Sequence, residues 1–125
     1  MCADGFLLGG FEAYARQAGV WNALPPPFEL RGVRPDAWGR RTEDSLFAFA
    51  EAKTADDIDT KHTRAQLRIF GFIRVRRIVH RCPLYVSVPR SAAPRLDRVL
   101  ADLGLFGAKH VIRLHIPDAF ITEGR

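Results

Sequence analysis

Leu46-Phe47-Ala48-Phe49-Ala50-Glu51-Ala52-Lys53 is the stretch on which the fold turns. Its strict alternation makes it a β-strand, with Leu46, Ala48, Ala50 and Ala52 on one face and Phe47, Phe49, Glu51 and Lys53 on the other. Glu51 and Lys53 therefore point the same way, as the members of a single site must. Upstream, Arg34-Pro35-Asp36 places a second carboxylate fifteen residues before Glu51, at the end of a neighbouring strand segment. Two hard oxygen donors with an ammonium beside them suit a Mg²⁺ site for phosphodiester hydrolysis, where the lysine aligns or activates water and offsets developing charge.

Around this stretch the chain alternates between helical and extended patterns. Residues 6–18 carry Phe11, Tyr14, Ala15 and Ala18 at helical spacing, which predicts a helix stopped by Gly19 and weakened at its start by Gly9 and Gly10. Residues 28–31 and 33–38 read as strand segments around Gly32, and residues 39–45 as a polar turn. Asp59 and Thr60 are capping residues for a helix over residues 61–78, which Gly71 can bend or end early. A strand over residues 84–88 follows, then a helix begun at Ser91 and closed by Gly104, then a strand over residues 110–116. The order predicts one α/β domain over residues 1–125, a mixed sheet flanked by helices, with no repeat and no low-complexity tract.

At 125 residues a single domain buries roughly two-thirds of the surface of its unfolded form. No long apolar run predicts a membrane span, and the N-terminus lacks the basic and apolar segments of a secretory signal. Cys2 and Cys82 are far apart and form no disulfide framework, so a reducing cytoplasm is the expected location. Together with His62, His80, His110 and His115 they show no zinc-finger spacing. The net charge of +5 is compatible with a polyanionic partner. Its distribution is more telling: Lys61, Arg64, Arg68, Arg74, Arg76, Arg77 and Arg81 share a stretch with no Asp or Glu. A solvated helix face is the plain reading of such a run.

These residues resemble the PD-(D/E)XK nuclease superfamily over roughly residues 11–88. Pro35-Asp36 is similar to its PD element and Glu51-Ala52-Lys53 to its (D/E)XK element. Glu12 falls in the first helix, where Holliday-junction-resolvase-like members carry an extra acidic ligand. Gln66-Leu67-Arg68-Ile69-Phe70 resembles the Gln-hydrophobic-X-X-Tyr element of RecB-like nucleases, departing at Phe70, which lacks the tyrosine hydroxyl. The resemblance implies a restriction-endonuclease-like αβββαβ core, here with an extra C-terminal helix and strand. It also implies a Mg²⁺ ion, replaceable by Mn²⁺, on Asp36, Glu51, the carbonyl of Ala52 and Glu12.

Each residue also has a plainer role. Pro-Asp is an ordinary turn pair. Glu51 can pair with Lys53 at the sheet edge, and Lys53 can be a solvated strand-end lysine. Glu12 has Arg16 four residues on, a surface ion pair. Gln66 orients Lys53, a metal water or a phosphate, or caps a polar patch. His62 reads as a solvated histidine and Trp21 and Trp38 as packing residues, while Lys61, Arg64 and Arg68 become phosphate contacts only if the site is catalytic. The expected function is a divalent-metal-dependent DNA endonuclease, selective for branched or other DNA structures, a homodimer where two strands are cut. The alternative is a nucleic-acid-binding or assembly module that keeps the scaffold without turnover.

Overall fold

A computed structural model describes residues 6–9, 29–41, 46–74 and 81–118. Five strands form one sheet in sequential order: β1 (Phe6–Gly9), β2 (Ala37–Arg41), β3 (Phe47–Ala52), β4 (Leu84–Pro89) and β5 (Val111–Ile116). The first three are antiparallel neighbours, and β4 and β5 then run parallel to β3. Parallel neighbours need crossovers. The helices α1 (Lys61–Phe72) and α2 (Ala93–Asp102) provide them, the latter entered through a 3₁₀ turn at Arg90–Ala92. The chain is thus α/β with a mixed sheet and helices packed against it.

Both helices lie on the same face of the sheet. Phe49 of β3 stacks on Phe70 of α1 with ring centroids 4.8 Å apart, Arg64 of α1 pairs with Asp102 of α2, and Arg113 of β5 pairs with Asp97 of α2. The register puts Trp38, Phe49, Leu84 and Val111 side by side on that face, with Glu51 beside Val86 and Arg113 in the next row but one. The core between sheet and helices is Phe49, Leu67, Phe70, Leu84, Val86, Val88, Leu96, Val99 and Leu100, all buried. Burying such side chains contributes about 1.5–3 kcal/mol each.

Several expectations are corrected. Phe6–Gly9 is a strand, not the start of a helix: it pairs with Trp38 to Arg41, and Gly9, which weakens a helix there, is tolerated at a strand end. The remainder of the predicted first helix, including Glu12, falls outside the described residues. Residues 37–41 are strand where a turn was expected from residue 39 onward, because pairing on both sides outweighs the polarity of Arg40 and Arg41. The extended segment around Gly32 is instead a tight turn, with Leu30 and Val33 bridged across Arg31 and Gly32, which both have positive φ (51° and 83°).

α1 begins where the sequence implies, with the Thr60 hydroxyl accepting from the Thr63 N–H at 3.0 Å. It ends at Phe72, short of residue 78. Gly71 lies so close to the buried Leu105 that a Cβ there would stand 2.6 Å from a methyl carbon. The last carbonyls are capped from outside, Gly71 by the His110 Nε2–H at 2.6 Å and Phe72 by Arg81 at 2.7 Å. Ser91 does not cap α2; Ala92 holds that position and the Ser91 hydroxyl donates to Asp118. Cys82 is fully buried in the core. No helix among the described residues is long and apolar enough to cross a membrane.

Candidate metal centre

Three segments distant in sequence meet at the C-terminal end of β3. Asp36 stands just before β2, where its N–H donates to Ala50 O at 3.1 Å. Its side chain reaches across to accept the Ala52 N–H on Oδ2 at 2.7 Å. The carboxylate is thereby latched to the residue between Glu51 and Lys53. The next N–H, of Lys53, turns to the opposite side and donates to Ser87 O of β4 at 2.9 Å. Ala52 therefore turns its backbone toward the edge on which Asp36 lies, the alternation that strand geometry demands.

Glu51 is only 1% exposed, yet neither carboxylate oxygen has a hydrogen-bond partner among the described residues. Lys53 forms the ion pair that the plainer reading offered, its Nζ 3.6 Å from Oε2 and just beyond hydrogen-bonding distance. Its strongest hydrogen bond goes elsewhere, to Gln66 Oε1 at 2.5 Å. The other end of the same amide donates from Nε2 to Arg34 O at 3.1 Å. Lysine can only donate and a carbonyl can only accept, so these partners fix the amide's orientation. Gln66, buried on the sheet-facing side of α1, thus ties the lysine of β3 to the backbone just ahead of Pro35-Asp36.

Burial pushes the Glu51 carboxyl up to about 7, the Asp36 carboxylate adds to the rise, and Lys53 opposes it. Asp36 thus acts directly on Glu51: two acids share one small volume. An uncompensated buried carboxylate costs several kcal/mol, and nature normally pairs it or gives it a metal. Two carboxylates with unused lone pairs are the kind of hard-oxygen donors that Mg²⁺ or Mn²⁺ takes. Among the described residues no three His, Cys, Asp or Glu side chains converge, so the described acidic donors are this pair.

The other expected residues lie elsewhere. A helix advances about 100° per residue, so Lys61, Arg64 and Arg68 are about 140–160° around α1 from Gln66. Their face looks away from the sheet: Lys61 and Arg68 are exposed, as is His62. The expectation that this stripe rims the Asp36/Glu51 cleft does not fit that placement. Arg64 is also already engaged, its guanidinium pairing with Asp59 at 2.7 Å and Asp102 at 3.0 Å. Phe70 is fully buried against Phe49, so the departure from tyrosine puts a ring into the core rather than a hydroxyl into the site. Trp38 is buried, as a packing residue should be. Sequence reasoning missed the Gln66–Arg34 carbonyl contact, for which a backbone acceptor leaves no side-chain signal.

Comparison with family models, curated proteins and solved structures returned no match.

Proposed function

We propose that the protein is a divalent-metal-dependent DNA endonuclease that hydrolyses phosphodiester bonds at the Asp36/Glu51/Lys53 site. The observation that carries this reading is Glu51: a fully buried carboxylate with no hydrogen-bond donor, beside a second carboxylate and an ammonium. Lys53 does pair with Glu51, but only at 3.6 Å, because its short hydrogen bond goes to Gln66, and both carboxylate oxygens keep their lone pairs free of hydrogen bonds. Part of the strand order supports the reading too: β2 and β3 are antiparallel and are followed by α1 and the parallel β4, as in the later part of the core that the nuclease resemblance implies, although Phe6–Gly9 is a strand where that core begins with a helix.

In this mechanism Asp36, Glu51 and the Ala52 carbonyl would hold the cation. The ion, when bound, supplies a Lewis acid for the phosphoryl oxygens and a water of lowered pKa. The rest falls to the protein. Asp36 is oriented by the Ala52 N–H, so its free lone pairs keep one direction. Lys53, held by Gln66, presents a fixed positive charge beside the carboxylates, where it aligns the attacking water and offsets charge developing on the phosphate. Gln66 is a positioning residue: it acts through Lys53 and through the Arg34 carbonyl. Replacing Mg²⁺ by Mn²⁺ should preserve the chemistry, since both take oxygen donors.

The test is cleavage of labelled duplex, branched and single-stranded DNA in Mg²⁺ and in Mn²⁺, with Lys53→Ala and Asp36→Asn as controls. Cleavage by wild type and its loss in both variants is expected. Wild-type protein that binds these DNAs but leaves them intact in both metals is instead a non-catalytic binding module.

A further inference from the structure

A concave feature lies along the C-terminal half of α1. A groove of about 410 Å³ is lined by Leu30, Ile69, Phe72 and Ile73 and by Arg31, Arg68 and Arg74. That volume is within the range of ligand pockets. The three arginines come from the Leu30–Val33 turn, the outer face of α1 and the segment after it, and they have no acidic partner among the described residues. Arginines near a helix C-terminus favour its negative end. That does not account for Arg31, which arrives from the turn with positive φ. Three like charges drawn around one hollow repel one another unless an anion enters.

The apolar side of the groove is held in place. Phe72 is 41% exposed, unusual for a large ring, and Arg81 fixes it twice: the guanidinium lies 5.0 Å from the ring centroid and donates to the Phe72 carbonyl. Groove and site share two elements. The segment that starts with Leu30 and Arg31 ends in Asp36, and the helix that carries Gln66 carries Ile69 and Phe72. From Gln66 to Ile73 is about 10 Å along the helix axis, a reach of a few nucleotides.

We propose that this groove seats an unpaired DNA strand that runs along α1 toward the site, with Arg31, Arg68 and Arg74 on its phosphates and a base against Phe72 and Ile69. This deepens the nuclease reading and rests on it, naming single-stranded DNA, free or as a flap, as the substrate class. A duplex hides the faces of its bases inside the stack, whereas an unpaired strand offers both the charge and the π-surface that such a groove accepts.

Fluorescence anisotropy with labelled oligothymidylate and with a matched duplex, both in EDTA, tests the proposal separately from cleavage. The single strand should bind more tightly than the duplex. Combined R31Q/R68Q/R74Q should weaken that binding at least tenfold and flatten its salt dependence by about 0.7 per lost phosphate contact. F72L, with a ring removed but bulk kept, should weaken it by about five- to fiftyfold. R98Q, remote on α2, should leave it unchanged, and thermal melts confirm that each variant is folded. Unchanged affinity in the triple variant, preference for the duplex, or competition by polyglutamate as strong as by DNA would overturn it. Because no metal is present, intact binding with failed cleavage would count against the Asp36/Glu51 reading alone.

Discussion

Glu51 and Arg64 are charged side chains on elements that pack together, and they are treated in opposite ways. Arg64 sits on the outer face of α1, part-exposed, with a carboxylate on each side at 2.7 and 3.0 Å. Glu51 sits beneath the inner face, buried, with no donor and its cation kept at 3.6 Å. Water would have served Arg64 adequately; Glu51 has the Lys53 ammonium at 3.6 Å and no hydrogen-bond donor among the described residues. The contrast separates a charge that helps hold α1 against α2 from a charge that costs stability and therefore calls for a ligand. It also shows why counting basic residues along α1 misleads: what decides a residue's availability is which side of the helix it is on and what it already holds.

The largest expected effects come from the buried side. Lys53→Ala should lose cleavage by about 10²–10⁴-fold while keeping most of the metal affinity, because a positioned charge is removed and no ligand is. Asp36→Asn should lose both, the neutral amide being a poorer donor to a hard cation; titration with Mn²⁺ followed by calorimetry separates the two behaviours. If Asp36→Asn bound Mn²⁺ as wild type does, the pair would not be the metal site.

Next in size is a stability effect with a defined sign. A glutamate raised to about 7 when folded is protonated in the native state while its unfolded counterpart, near about 4.3, has already ionised. Its contribution is thus most favourable at low pH and is lost as pH rises through that window, a change of about 2–3 kcal/mol. Denaturant unfolding in EDTA at pH 5 and pH 8 should show it, and Glu51→Gln should abolish the difference and stabilise the metal-free protein at pH 8. Mg²⁺ at pH 8 should stabilise wild type and not Glu51→Gln.

Gln66→Leu comes third. It strands the Lys53 ammonium and the Arg34 carbonyl, which should cost about 1–3 kcal/mol. It should also lower cleavage with little change in Mn²⁺ affinity, a split that a purely structural role would not give. The smallest effect is Arg64→Ala, whose exposed pairs contribute little: its melting temperature should move far less than that of Glu51→Gln, and DNA affinity should not move.

Much of this was legible in the sequence. Phe47–Ala52 announced itself by alternation, and the shared face of Glu51 and Lys53 followed from the two-residue period of a strand. Thr60 announced the start of α1 by its chemistry. Elements whose identity depends on a distant partner were harder to read. Phe6–Gly9 is too short and too glycine-rich to read as a strand until Trp38 to Arg41 lies beside it. The end of α1 depends on Leu105, His110 and Arg81, which approach from far along the chain. In the site, residue types pointed to Asp36, Glu51 and Lys53 and to the Glu51–Lys53 ion pair, but only packing reveals that Gln66 takes Lys53's hydrogen bond and leaves Glu51 with no hydrogen-bond donor among the described residues.

The central claim is that Asp36 and Glu51 jointly hold a divalent cation, and anomalous diffraction from a crystal soaked in Mn²⁺ tests it most directly. The account predicts a single strong peak between the two carboxylates, about 2.0–2.6 Å from an oxygen of each, with the Lys53 ammonium on the same side. A peak at any other position, or none between those carboxylates at millimolar Mn²⁺ and pH 8, would contradict it.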